Sequence, residues 1–414
     1  MAPSHTSAES SRSDTFFLFS PSASYPHPLA CLIDRQGQVV HAWSSTLGQP
    51  DPATDPPTYL RGWNHVELAA DGSLFVTVPL HALLKLRPDS TPVWRAELPA
   101  HHDLAISPDG DIYVLTEEPR VIPWHGSEHV LLDNTVTILN KDGQMRAAHS
   151  LYDILTSDPV LETLIAQQVE RRRADAVLPE PAALEHQLSG AEGRRVGRDV
   201  SRFLRDLPGS PCDVLHANTL ELLHDHPQGL WKRGDVLVSL RNLDLIAVLD
   251  LQGRAVRWFW GPGELSGQHQ PSARPGGTVL VFDNGQSAGR SRVLEIDPVT
   301  NRIVWQFTAH PPESLFCALA GGCEELPNGN ILISDAQSGR GIEVTREGRT
   351  TWAVRISTRR TSATTSRAEF YRMVAVPAAT AALLGGETSA RDIARSRLRC
   401  ELRDDLPFTL RSTL

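Results

Sequence analysis

The sequence predicts an all-β protein: a six-bladed β-propeller with one helical insertion and a last blade closed by strands from both ends of the chain. Three observations predict it. A hairpin pattern recurs six times, as "CLIDRQGQVVHAW", "LLKLRPDSTPVWRA", "VTILNKDGQMRAA", "IAVLDLQGRAVRWFW", "VLEIDPVTNRIVWQF" and "IEVTREGRTTWAV". Five further hairpins precede most of these copies, and the ends of the chain hold the pieces of one more sheet. Radial repetition of four-stranded sheets leaves only short, protected edges, which is why such a repeat settles into a ring.

Each copy is an apolar alternating run, a polar turn with Gly, Asp or Asn, and a second run usually closed by tryptophan, the signature of an antiparallel hairpin. These are the outer strands of the blades. The inner hairpins are "HVELAADGSLFVTV" (65–78), "HDLAISPDGDIYVLT" (102–116), "HANTLELL…GDVLVSL" (216–240), "HQPSARPGGTVLVF" (269–282) and "CEELPNGNILIS" (323–334). Near the N-terminus, "DTFFLFS" and the first outer hairpin supply three strands but lack an inner one. "EFYRMVAV" (369–376) is a strand without a blade. Joining them closes the ring.

Residues 151–210 break the repeat. Their apolar residues recur at three- and four-residue spacing with few β-branched side chains, so this stretch is expected to be a helical insertion, a candidate lid or rim over one face. Residues 1–384 then read as a single propeller domain and 385–414 as a charged C-terminal tail.

The net charge of −9 gives no electrostatic reason to expect nucleic acid or an anionic membrane as partner. Only three of the forty basic residues are lysines (Lys85, Lys141 and Lys232), so an anion site would be built from guanidinium, imidazole and backbone N–H groups. Five scattered cysteines without a CxxC pair indicate buried thiols rather than a disulfide framework. The N-terminus lacks the charged start and apolar core of a secretory signal, and the expected location is cytoplasmic.

Aligned by their hairpin turns, His65, His102, His216 and His269 all fall near the start of an innermost strand. Cys323 takes that place in the fifth blade, and Tyr371 or Arg372 in the sixth. Innermost strands run beside the central channel, so these residues are expected to converge on one axial site. Around them stand His101, Asp103, Asp213, Asn218, Arg241, Gln268, Asp283 and Asn284. Arg241 could grip two oxygens of an oxyanion with its planar fork. Asp283 and Asn284, before Gly285, read as a turn first and a site second.

The stretches "DVLHANTLELL…GDVLVSLRNLDLIAVLD", "GQHQPSARPGGTVLVFDNG" and the late "YR" resemble the arylsulfotransferases that work without phosphoadenosine phosphosulfate (PAPS), over about residues 60 to 376. The specific parts are D-x-x-H-x-N around His216, S-x-R at Arg241 and QH…FDNG around His269. The resemblance implies a ping-pong transfer of a sulfuryl group from a phenolic (aryl) sulfate ester to a phenolic acceptor, with no cofactor. His269 would be the nucleophile that becomes sulfohistidine. His216, His102, Arg241 and Asn218 would complete the catalytic set by binding sulfuryl oxygens and assisting proton transfer. Substrate contacts are expected from His65, Gln268, Asp283, Asn284, Tyr371 and Arg372. The sequence departs from the better-known exported members of that family, which carry a disulfide and use a lysine late in the chain; here no lysine follows Lys232.

A second chemistry stays open on the residues alone. Four imidazoles, His65, His102, His216 and His269, are also what a divalent transition metal would need in a metal-dependent oxidoreductase or lyase. Arg241 discriminates between the two: a cation beside the histidines suits an oxyanion and repels a metal dication.

Overall fold

The computed structural model describes residues 15–21, 28–47, 62–124, 126–173, 193–358, 366–367, 369–384 and 389–403. Residues 174–192 of the helical insertion expected over 151–210, and the two chain ends, lie outside the described residues. Six antiparallel sheets stand in a ring, a six-bladed β-propeller. Innermost strand first, blade 1 comprises Val66–Leu68, Leu74–Val78, Ala82–Leu86 and Pro92–Ala96. Blade 2 comprises Ala100–Ile106, Ile112–Trp124, Ser127–Leu139 and Met145–Ser150. Blade 3 comprises Ala217–Leu222, Val236–Leu240, Leu245–Asp250 and Ala255–Trp260. Blade 4 comprises His269–Ala273, Val279–Asp283, Arg292–Asp297 and Arg302–Thr308. Blade 5 comprises Gly322–Glu325, Ile331–Asp335, Arg340–Val344 and Thr350–Thr358.

Blade 6 is made by both ends of the chain. Phe370–Pro377 is its innermost strand and pairs antiparallel with Thr15–Pro21, which is followed by Leu29–Ile33 and Val39–Ser44. The tail adds to the neighbouring blade: Leu398–Leu402 pairs with the outer strand Thr350–Thr358, and the helix before it, Ser389–Arg397, buries Ala390 and Ala394.

The middle strands of blades are buried on both faces and the outer strands on one, which matches continuous apolar runs inside and alternation outside. Tryptophans at the outer edges fasten neighbouring blades. Trp94 donates its indole N–H to the Lys141 carbonyl at 2.9 Å, Trp305 to that of Arg346 at 2.8 Å and Trp352 to that of Arg35 at 2.8 Å. Trp258 donates to the Asn301 side chain at 2.9 Å. Each acceptor lies in the outer turn of the next blade. From blade 6 to blade 1 the same link is made by His41, whose ring lies 2.9 Å from the Pro88 carbonyl.

The insertion is helical where it is described. Leu151–Leu155 (α1) is capped by Ser150, and Pro159–Arg173 (α2) by Asp158, whose carboxylate accepts from the Val160 and Leu161 N–H groups at 2.9 and 3.1 Å. Leu161, Ile165 and Val169, four apart, bury one stripe of α2 against blade 3. A third helix, Gly193–Asp206 (α3), packs Val200 and Leu204 on Val130 and Leu132. Those partners lie on the middle hairpin of blade 2, whose strands run thirteen residues each and extend beyond the sheet. This extension was not expected from the repeat. It exists because "EEPRVIPWHGSEHVLL" continues the hairpin and turns at Gly126, where φ is +79°.

Phe17 of blade 6 is fully buried and stacks on Trp352 of blade 5 with ring centroids 4.2 Å apart. Phe17→Ala should therefore cost about 3–5 kcal/mol, seen as an earlier midpoint in denaturant unfolding followed by tryptophan fluorescence; an unchanged midpoint would deny this seam its role.

Candidate functional site

Irregular starts to the innermost strands build the site. In blade 2 the register shifts between Ala100 and Leu104, and in blade 4 between His269 and Ser272. His102 (φ +52°), His216 (φ +51°) and Gln270 (φ +43°) occupy left-handed backbone positions there. Such residues cost on the order of 1–3 kcal/mol each and persist only where the surroundings hold them. The four histidines consequently do not share one register. Counted back from the pair that closes each inner hairpin, His102 and His269 stand four residues away, His65 three and His216 six.

The result is two adjoining clusters rather than one. In the first, His102 packs edge-on against His216, with ring centroids 4.9 Å apart, and against Tyr371 at 5.6 Å, while His269 faces Tyr371 at 6.1 Å. His101 Nδ1 lies 2.8 Å from His102 Nδ1, so one of these rings donates to the other. Arg241 opens a short 3-10 turn, Arg241–Leu243, and its backbone N–H donates to the His216 carbonyl at 3.1 Å. Its charge lowers the proton affinity of both His216 and His269, as a cation beside them must.

In the second cluster, Arg372 forks onto the fully buried Asp103, and its guanidinium lies 2.9 and 3.1 Å from the two ring nitrogens of His65. Burial, then the Arg372 charge, push His65 down to about 3, so it is neutral beside the arginine. A cavity of about 380 Å³ adjoins this pair, lined by Glu67, Glu221, Glu324 and Gln270 among others. Burial raises Glu67 and Glu324 to about 7 and Glu221 to about 8. The three glutamates, which the sequence reading missed, sit one residue before the hairpin-closing pair in blades 1, 3 and 5.

The geometry at His269 is the most defined. Its Nδ1 is 3.0 Å from the Gly267 carbonyl and 2.8 Å from Asn284 Oδ1. The Asn284 amide is fixed in orientation because its nitrogen donates to the carbonyls of Cys317 (2.5 Å) and Ala320 (2.8 Å). Both groups facing Nδ1 are therefore acceptors, Nδ1 carries the hydrogen, and Nε2 keeps its lone pair. Nε2 is buried and has no hydrogen-bond partner among the described residues. Burial is the largest cause that pushes His269 down to about 3, and the Asn284 bond only partly opposes it.

Several residues expected to touch substrate also make hydrogen bonds that frame the site. Asp283 accepts from the N–H groups of Ser266 (2.9 Å) and Gly285 (3.2 Å) and pairs with Arg292 at 2.8 Å. Gly285, at φ +60°, lets the turn close: a Cβ there would run into the Arg290 carbonyl. Gln268 is fully buried and donates to the Leu245 carbonyl at 2.8 Å. Asn218 donates its amide to the Gln268 carbonyl at 2.9 Å, and its own carbonyl accepts the Tyr371 hydroxyl at 2.6 Å. Asp213, four residues upstream of Ala217, is bound through Oδ2 to His216 Nδ1 at 2.5 Å and is held well below the usual carboxylate range by His216 and Arg205 against the opposing effect of burial.

A family model for arylsulfotransferase (ASST) matches residues 82–357, two thirds of the chain. The chain belongs to the arylsulfotransferase family. The match takes in His102, His216, Arg241 and His269 and ends before Tyr371. Membership assigns the protein to the sulfotransferases, enzymes acting on small aryl molecules. No curated protein matches the chain. Among solved structures it is similar to a protein of unknown function from Bacteroides caccae (12% identity over 88% of this chain and 99% of that one, TM-score 0.49). It is also similar to apo AztD from Citrobacter koseri (8%, 88% and 98%, TM-score 0.40) and to virginiamycin B lyase from Staphylococcus aureus (12%, 70% and 69%, TM-score 0.37). No lysine follows Lys232, and the cation beside His65 and Asp103 is Arg372.

The metal alternative needs all four histidines on one point; His102 contacts His216, and both His102 and His269 contact Tyr371, whereas the His65 ring lies beside Arg372, Asp103 and Glu67. Among the described residues no group of three or more His, Cys, Asp or Glu side chains is arranged to hold a metal ion. All five cysteines are free thiols, four of them buried.

With ¹⁵N-labelled histidine, His269 should show the Nδ1–H tautomer and stay neutral from pH 8 to pH 5; a ring that protonates near pH 6.5 would contradict this arrangement.

Proposed function

We propose that the protein is a PAPS-independent aryl sulfotransferase that moves a sulfuryl group from a phenolic sulfate ester to a phenolic acceptor through sulfohistidine at His269. The observation that carries this reading is the unpartnered, unprotonated Nε2 of His269, backed by a second-residue hold on Nδ1. In the first half-reaction the Nε2 lone pair attacks sulfur, the N–S bond forms, and the S–O bond to the aryl oxygen breaks with both electrons leaving on the phenolate. A proton from His216 or His102 neutralises that oxygen. In the second, the acceptor phenol gives its proton to the same imidazole, its oxygen attacks sulfur, and the N–S bond returns its electrons to Nε2.

Arg241 supports the transfer by stabilising the equatorial oxygens of the moving group, whose charge is spread most widely in the transition state. A buried Nδ1 bond to Asn284 accommodates the positive charge that the ring acquires on sulfation, because Oδ1 is an acceptor. Enclosure of Nε2 limits hydrolysis of the sulfohistidine. The reaction as proposed uses no cofactor: nucleophile, proton carriers and oxyanion-binding cation are all side chains.

The test is intact mass before and after brief exposure to a nitrophenyl sulfate, with release of nitrophenol recorded in parallel. Gain of one SO₃ group on His269, discharged by added phenol, is the expected result, and His269→Ala should abolish both gain and release. Nitrophenol release with no adduct in the wild type would replace the ping-pong route by direct transfer. Arg241→Ala should lower kcat by about 10²–10³-fold and raise KM as well, because the charge meets the sulfate in the ground state and more strongly in the transition state; unchanged steady-state kinetics would remove Arg241 from the reaction.

A further inference from the structure

Helix α3 of the insertion reaches the chemistry through one side chain. Arg205, in its last turn, forks onto Glu117, donating from Nε at 3.2 Å and from Nη2 at shorter range. Glu117 is fully buried, on the strand Ile112–Trp124 where it leaves blade 2. The third nitrogen, Nη1, stands 3.6 Å from Asp213 Oδ2. That is the same oxygen that holds His216 Nδ1. One carboxylate oxygen thus faces an imidazole on one side and a guanidinium on the other, and the guanidinium is held by a second, buried carboxylate. We propose that Arg205 is a positioning residue through which the helical insertion holds the Asp213–His216 pair in place for proton transfer.

Two features separate this from an ordinary ion pair. A buried Glu117 needs only one cation, yet the arginine is turned so that its remaining nitrogen points at Asp213 rather than at solvent. Among the described residues Asp213 Oδ1 is buried without a hydrogen-bond partner, and the carboxylate is oriented through Oδ2 by His216 and Arg205. The charge has a direct consequence as well. Arg205 lowers the proton affinity of His101, His102 and His216. Asp213 pulls His216 the other way, and burial exceeds both. The other groups facing His216 are Arg241, His101, His102 and His269, with Arg172 beyond Asp213. Arg205 therefore acts with burial to loosen the hold of His216 on its proton, while it fixes the carboxylate oxygen that orients the ring. The insertion is in this way part of the reaction without touching substrate.

The inference rests on the proposed proton-transfer role of His216, and the experiment separates the two. Full-length wild type, Arg205→Gln, Arg205→Met and Arg205→Lys are compared with Arg202→Gln, which removes an arginine one turn earlier on the same helix that contacts His81 instead. Arg205→Met keeps the side-chain volume should Arg205→Gln not fold. The His216 titration is followed by NMR of labelled histidine, and nitrophenyl sulfate turnover is measured against pH. Loss of the Arg205 charge should raise the His216 titration by about one pH unit. It should lower kcat by roughly tenfold with KM nearly unchanged, and lysine should restore most of both. Arg202→Gln should leave His216 where it was. An unmoved His216 in folded Arg205→Gln or Arg205→Met, or an equal shift in Arg202→Gln, would overturn the proposal. A His216 shift with no turnover and no His269 adduct in the wild type would leave Arg205 as the positioning residue and remove the sulfuryl-transfer reading.

Discussion

The pairing of Thr15–Pro21 with Phe370–Pro377 is the constraint on which the rest depends. Every other blade is built from hairpins whose strands are neighbours in sequence, so their closure entropy is small. Blade 6 alone joins residues more than three hundred positions apart. Only when it forms do Tyr371 and Arg372 arrive at the axis, where Tyr371 completes the packing of His102 and His269 and Arg372 supplies the counter-charge for Asp103. Folding of the ring and assembly of the site are the same event. Phe370 at the start of that strand packs against Phe19, so apolar burial rather than the polar site drives the closure.

Inside the ring, two opposing demands meet. A site that handles an oxyanion wants positive charge, and a nucleophilic imidazole must not take a proton from it. Burial decides the contest for His65, His101 and His269, each pushed down to about 3, so these rings stay neutral beside guanidinium groups. The arginines are the groups that keep charge, and two of them are matched by carboxylates: Arg372 by Asp103, and Arg205 by Glu117 and Asp213. A buried cation without such a partner would cost several kcal/mol.

The fold was legible because a period-two pattern with a tryptophan at its end repeats, and tryptophan marks the position where an indole reaches the next blade. The nearness of His102, His216 and His269 was legible because all three stand near the starts of innermost strands, which converge on the axis, and that of Arg241 because it follows the strand paired with the one after His216. The left-handed residues and register shifts were not, since nothing in "HHDL" or "QHQP" distinguishes a bulge from a regular start. That is why His65 appeared equivalent to the others and falls instead beside Arg372. The resemblance places Asn218 in the catalytic set, and Gln268 and Asn284 are expected to contact substrate. Their amides satisfy backbone carbonyls that irregular strands leave without partners, a need that becomes visible only with the backbone in place. Arg205 and Glu117 stand 88 positions apart, one on a helix and one on a strand extension, and no local pattern announces their meeting.

The tryptophan links have a sense of direction: each runs from the outer strand of one blade to the outer turn of the following one, and three of them end on a backbone carbonyl. A carbonyl is present whatever the residue, so the contact recognises the shape of a turn and not its sequence. Substitutions can therefore accumulate in the outer turns without loosening the ring. A blade is an exchangeable module in such a scheme, able to be duplicated, replaced or made the new starting point of a permuted chain, while the innermost strands stay under separate chemical constraint.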